Sequence, residues 1–198
     1  MFEAGDRSQV DWGNGNWIFL DIGFAKHTRS CGLLFGDGNP TSVAYATAKS
    51  QIVERIRHSR SMVNLVIEAP LSVSFDSHGN PTGRSIEKKG KQTRYWYVGP
   101  GCVVMVAAIY LIRDIVDAGP DVSVRLFEGF VSYKERSGQS RHVEDVSLLR
   151  EVVRDPVKYS GSIFVSDQLR IDPRDSLLSA FHVVGVDCGI PAVIERSL

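Results

Sequence analysis

The apolar positions of this chain fall into short runs that end in an acid or a glycine. Trp17-Ile18-Phe19-Leu20-Asp21-Ile22-Gly23 is apolar enough to predict a strand buried on both faces and closed by Asp21 and Gly23. Ser30 to Phe35 predicts a second strand, and the turn residues Gly36-Asp37-Gly38-Asn39-Pro40 separate it from a third over Thr41 to Ala46. The chain therefore opens as an antiparallel meander. Lys49 to Arg60 carries Ile52, Val53 and Ile56 at helical spacing, and Val63-Asn64-Leu65-Val66-Ile67-Glu68 follows as a strand closed by an acid. Strand, helix and strand at this spacing imply a right-handed crossover. Ala69 to Lys91, with Pro70, Gly79, Pro81, Gly83 and Gly90, has no period and reads as a long surface excursion. Gly99-Pro100-Gly101 precedes a helix from Cys102 to about Ala118, which Gly119-Pro120 ends. Val122 to Phe127 predicts a fifth strand, followed by Glu128. After a polar segment over Ser132 to Arg141, an amphipathic helix spans about Val143 to Val153 and stops at Asp155-Pro156. A last helix is predicted from Asp172-Pro173 through Leu177, Leu178, Phe181 and Val184.

This order specifies an α/β fold: a mixed five-stranded sheet, three antiparallel strands followed by two parallel ones, flanked by helices. Residues 1–15 mix charges and glycines and read as a flexible N-terminal arm. Residues 16–198 read as a single domain with an excursion at about 70–98.

Composition narrows the function classes. Of 198 residues, 43% are hydrophobic and 23% charged, which is globular and not disordered. The 23 Lys+Arg balance the 23 Asp+Glu, so a nucleic-acid surface has to be regional. The longest apolar run, Cys102 to Ile112, is shorter than the about 20 residues of a membrane helix, and no apolar leader precedes the first strand. No membrane association is expected. Cys31, Cys102 and Cys188 are far apart and lack metal-ligand spacing, which argues against a disulfide framework or structural zinc and for a reduced, cytoplasmic protein.

The carboxylates carry the chemistry. Asp21, Glu68 and Glu128 stand at or near the carboxyl ends of three predicted strands, where sites gather in open α/β sheets. An acid at the tip of a doubly buried strand needs solvent, a partner or a metal. Asp172 and Asp175 lie three apart on the first turn of the last predicted helix. Oxygen ligands drawn from separate elements suit Mg2+ or Mn2+, and paired ions stabilise both attacking and leaving oxygens in phosphodiester cleavage. Each acid also has a structural reading. Asp172-Pro173 is a good helix cap, Asp175 complements the helix dipole, Asp21 suits a strand-terminal turn, and Glu68 or Glu128 could pair with Arg84 or Arg125.

The element order resembles the RNase H-like superfamily. The segments Trp17 to Gly23, Val66-Ile67-Glu68-Ala69-Pro70-Leu71-Ser72 and Asp172-Pro173-Arg174-Asp175-Ser176-Leu177-Leu178-Ser179-Ala180 resemble the acidic motifs of RuvC-like Holliday-junction resolvases. They are closer still to a family of predicted nucleases of that superfamily. The resemblance implies a two-metal nuclease using Asp21, Glu68 and Asp175 as catalytic ligands, with Asp172 as an auxiliary acid and metal ligand. Leu126-Phe127-Glu128 stands where that family often has His-Pro-Glu, which leaves Glu128 as a further auxiliary acid. It also implies a possible homodimer, since RuvC-like enzymes often pair.

From Arg84 to Arg94 five cations (Arg84, Lys88, Lys89, Lys91, Arg94) stand against Glu87 alone, with Tyr95-Trp96-Tyr97 next. Such a strip suits phosphate contacts and base stacking, Trp96 included, or else forms a solvated face whose aromatics dock on the core. His142 falls in a polar loop near Glu128, where it could act on a leaving group or simply be an exposed loop histidine. Walker A, dinucleotide and Gly-x-Ser-x-Gly patterns are absent from the chain. The expected activity is metal-dependent hydrolysis of nucleic acid. Its alternatives are an inactive RNase H-like binding or scaffold module, a small-nucleotide hydrolase, and an actin- or sugar-kinase-like ATPase. For the last, too little chain remains after the second Asp-x-Gly at Asp187.

Overall fold

A computed structural model describes residues 2–23, 29–93, 99–132 and 142–197. In chain order its elements are β1 (Phe2–Ala4), β2 (Asn16–Asp21), β3 (Cys31–Phe35), β4 (Thr41–Val43), α1 (Tyr45–Arg57), β5 (Val63–Glu68), β6 (Ser72–Phe75), β7 (Pro81–Thr82), β8 (Lys88–Lys89) and β9 (Gln92–Thr93). They continue as α2 (Gly99–Asp117), β10 (Val124–Ser132), α3 (His142–Arg154), β11 (Ile163–Phe164), α4 (Ser166–Leu169), β12 (Ser176–Ser179) and β13 (Val193–Ser197).

The main sheet runs β11-β13-β10-β5-β2-β3-β4, with β1 also paired to β10. β2 to β3 and β3 to β4 are antiparallel, whereas β2, β5 and β10 are mutually parallel, so the expected mixed sheet with three antiparallel strands and then two parallel ones is present. Two further strands, β13 parallel and β11 antiparallel, widen it beyond β10.

Both faces are covered, which is why the central strands read as unbroken apolar runs. On one face Ile18, Leu20, Leu65, Ile67 and Leu126 pack under Ile52 and Ile56 of α1 and Ala108, Leu111 and Ile112 of α2. On the other, Trp17, Phe19, Leu34, Val66 and Phe127 pack under Val146, Leu149 and Val153 of α3. α2 is long and apolar enough by length and composition to cross a membrane; Val104, Ala108, Leu111, Ile112 and Ile115 form its buried stripe, and Val103, Val106 and Tyr110 are exposed on its other side.

Three sequence expectations change. Residues 2–15 are built into the fold, not a free arm. β1 pairs Phe2 to Ala4 with Val124 to Leu126, Val10 is buried, and Trp12 stacks on Phe19 at 6.5 Å between centroids. Three residues of strand are too few to stand out in sequence, and only the open edge of β10 stabilises them. The helix predicted from Asp172 does not form. Asp175 N–H donates to the Asp172 carbonyl at 2.9 Å to close a turn, Ser176–Ser179 pairs antiparallel with β6, and Ala180–Val184 is a short 3-10 helix. The helical spacing of Leu177, Leu178, Phe181 and Val184 is overridden by a strand partner about a hundred residues away in sequence.

Glu128 is the third. β10 continues past it to Ser132, so it lies mid-strand, and it is the register partner of Ile67 on the α1/α2 face. There it meets Arg84 of the excursion. The fully buried guanidinium donates to Glu128 Oε1 at 2.6 Å and Oε2 at 2.7 Å, to Glu87 Oε1 at 2.9 Å and to Ser72 Oγ at 2.8 Å. Glu128 Oε2 also accepts Leu71 N–H at 2.8 Å. Burial works against the arginine charge, but the Glu128 and Glu87 carboxylates outweigh it and hold the guanidinium pKa above its ordinary value. Burial pushes the Glu87 carboxyl up, against the pull of Arg84. This network ties the excursion to the sheet. Replacing Arg84 by Met would strand two buried carboxylates, so Arg84→Met is expected to lose about 3–5 kcal/mol of stability in urea denaturation. A loss below about 1 kcal/mol would show the network to be dispensable.

Candidate metal centre

β2 and β5 end side by side, with Asp21 and Glu68 in register. Odd positions of β2 and even positions of β5 face α3, as Phe19 and Val66 do, so both acids point to that face of the sheet. Asp21 is fully buried and Glu68 half-buried, its Oε1 accepting Val131 N–H at 3.3 Å.

The first turn of α3 lies directly over this end. Gly32, the antiparallel partner of Asp21, has no room for a Cβ because the His142 carbonyl and Val143 amide occupy that space. At Gly23 a Cβ would overlap the His142 ring and the Ser30 carbonyl. The two glycines thus permit a helix end to rest on strand backbone. Asp-x-Gly in the first strand is explained by the neighbour it admits.

The approach brings His142 Nδ1 to 2.8 Å from Asp21 Oδ2. Asp145, three residues on and so on the same helical face, is buried at 2% exposure. Asp21, His142 and Asp145 each place a ligand atom within 4.8 Å of the others, forming a buried group that could hold a metal ion. Two carboxylates and an imidazole are a suitable donor set, and two acids confined at this depth favour a cation among them. Cys31 lies beside the group, with Sγ at 3.8 Å from the Gly23 carbonyl. Burial pushes its thiol up, and the Asp21 charge adds to this, against hydrogen bonding with Gly23 and Ser30.

The other residues singled out in the sequence lie as follows. Asp172 pairs with Arg174 at 2.8 Å, whose hydrogen bonds lower its carboxyl to about 2. Asp175 is largely buried and accepts Asp172 N–H at 3.1 Å. These two acids brace the turn before β12, and among the described residues neither belongs to a group with Asp21. Glu128 faces the other side of the sheet, in the Arg84 network. Arg84 itself is 1% exposed and saturated by carboxylates, so it cannot meet a nucleic-acid backbone. Lys88, Lys89 and Lys91 are exposed around the β8–β9 ladder. Arg94 and Trp96 lie outside the described residues.

In sequence His142 stands out only as a loop histidine and not as a member of the ligand group, and Asp145 is missed altogether. Their signal was present: His-x-x-Asp has the same spacing as Asp172-x-x-Asp175 and opens the amphipathic helix that follows the fifth strand. Gly32→Ala tests the packing that assembles the group. The added methyl must displace the start of α3, so a stability loss of about 1–3 kcal/mol is expected, with a larger proportional loss of Mn2+ binding than a core substitution of equal cost such as Leu149→Val. Equal losses in the two variants would separate the helix placement from the site.

Comparison with known proteins finds no matching family model, no matching curated protein and no matching solved structure.

Proposed function

We propose that this protein is a divalent-metal-dependent hydrolase of nucleic-acid phosphodiester bonds, with an RNase H-like arrangement of its central five strands. The observation that carries the proposal is the convergence of Asp21, His142 and Asp145 at the carboxyl end of the central strand, with Glu68 in register beside them. The resemblance implies acids on two adjacent parallel strands and a late Asp-x-x-Asp on the last predicted helix, whereas here the late group stands on the helix after the fifth predicted strand. His142 and Asp145 take the part first assigned to Asp172 and Asp175.

Asp21, Asp145 and Glu68 would hold Mg2+ or Mn2+, and His142 adds a nitrogen donor that suits Mn2+ better than Mg2+. When bound, such an ion neutralises charge on the phosphate and lowers the pKa of water. Asp21 Oδ2 stands 2.8 Å from His142 Nδ1, so the carboxylate can pair with the imidazole when that ring is protonated. Asp145, shielded by the sheet, keeps its carboxylate where solvent cannot compete for it. Glu68, tethered to Val131 N–H through Oε1, stands in register beside Asp21 on the neighbouring strand.

A labelled panel of single- and double-stranded DNA, RNA, hybrid and branched DNA, incubated with Mg2+, Mn2+ or EDTA, tests this reading. Cleavage is expected with metal and not with EDTA, and Asp21→Asn and Asp145→Asn should each reduce it by roughly 100-fold or more. Asp175→Asn should leave the rate within about threefold of wild type, since that acid braces a turn elsewhere. Loss of cleavage in Asp175→Asn but not in Asp145→Asn would return the site to the motif first read in sequence. A folded wild type that binds the panel without cutting any member would favour a binding module.

A further inference from the structure

A cavity of about 390 Å³ opens at the opposite end of the central strands, where β2 and β5 begin. It lies some 17 Å from Asp21 by the rise of β2, and no step proposed above uses it. It is lined by the starts of β2 and β5, by the end of β3 at Phe35 and Gly36, and by the last turn of α1 with the loop that follows.

Its polar lining is cationic. Arg55, His58 and Arg60 border the cavity together with Asn16, Ser59 and Ser61, and no Asp or Glu lines it. Residues 55–61 hold three arginines and a histidine without an acid, in a chain whose total charge is zero. Arg55 and Arg57 sit in the last turn of α1, where cations complement the helix carbonyls. That accounts for neither Arg60, which is past the helix end, nor the cavity. The nearest carboxylates are on neighbouring surfaces: Glu54 lines an adjoining hollow, and Asp37 is taken up by Arg154. Among the described residues, no carboxylate stands at ion-pair distance from Arg55 or Arg60.

The lining is also held in place. Asn16 Nδ2 donates to Ser59 Oγ at 3.1 Å and Ser61 Oγ at 2.8 Å, and Ser59 Oγ donates to the Ser61 carbonyl at 2.9 Å, which ties the loop to the start of β2. His58 Nδ1 donates to the Glu54 carbonyl at 2.8 Å, leaving Nε2 for a ligand. The Arg55 guanidinium lies over the Phe35 ring, 5.2 Å from its centroid. Two guanidiniums, Arg55 held on Phe35 and Arg60 beyond the helix end, around a hollow within the volume range of small-ligand sites match an anion with several acceptor oxygens.

From this cavity we infer a second binding site, for a small phosphate-bearing ligand held by Arg55, His58 and Arg60. Phosphate fits better than a carboxylate, because two guanidiniums without a carboxylate partner among the described residues and the Ser61 hydroxyl border one hollow, and a tetrahedral dianion offers an acceptor oxygen to each. The site is independent of the metal centre and stands or falls without it.

The test is calorimetric titration of the full chain with inorganic phosphate and, separately, with 5′-AMP, at constant ionic strength. Saturable binding is expected, weakened by about tenfold or more in Arg60→Ala and further in Arg55→Ala/Arg60→Ala, and unchanged in Asp21→Asn. These arginines are exposed, so the variants should retain wild-type thermal unfolding. Comparable affinity for both probes would identify the free ion as sufficient. Binding of AMP alone would identify a nucleotide as the source of the phosphate. No saturable heat with either probe up to about 10 mM, or binding undiminished in the double variant, would overturn the inference.

Discussion

A fully buried carboxylate at the end of a strand covered on both faces is the constraint around which one end of this molecule is arranged. Left uncompensated, Asp21 would cost several kcal/mol. It is met by His142, brought to 2.8 Å by a helix that starts directly on the strand ends. That proximity requires glycine at Gly23 and Gly32, since either side chain would intrude on His142. Asp145 then arrives by helical periodicity alone. One packing contact therefore determines the position of three ionisable groups, and a site composed this way has little freedom to relax.

The sheet is used on both faces, and a one-residue difference in register separates two kinds of chemistry. Asp21 and Glu68 face α3 and the open carboxyl end. Glu128, paired with Ile67, faces the other side and is consumed by Arg84. Charge at the carboxyl end of a parallel strand is thus insufficient to identify a site residue. Two carboxylates and an arginine sealed beneath the excursion trade solvation for mutual hydrogen bonds, and their product is the anchoring of residues 71–87 to the central sheet.

Much of the fold was legible in the sequence because central elements carry their own signal. Strands buried on both faces must be apolar throughout, so Trp17 to Asp21 and Val63 to Glu68 stand out. α1, α2 and α3 bury a single stripe each, and their period survives in the sequence. Elements whose stability comes from a distant partner were not legible. β1 needs the edge of β10 and β12 needs β6, each far away along the chain, whereas the pairing of Glu128 with Arg84 was among the readings the sequence offered. A cation in a polar, glycine-rich stretch looks like a solvated strip until its counter-ions are located.

The sequence by itself determined the mixed sheet, the crossovers and the two strand-end acids Asp21 and Glu68, because alternation and apolar runs encode which faces are buried. Only the tertiary structure decided which late acids join them. His142-x-x-Asp145 and Asp172-x-x-Asp175 are equivalent as spacings, but one opens a helix packed on Gly32 and the other closes a turn onto a strand. Spacing records neighbours along one element, whereas convergence of ligands is a property of packing between elements, and that is settled by where backbones can approach.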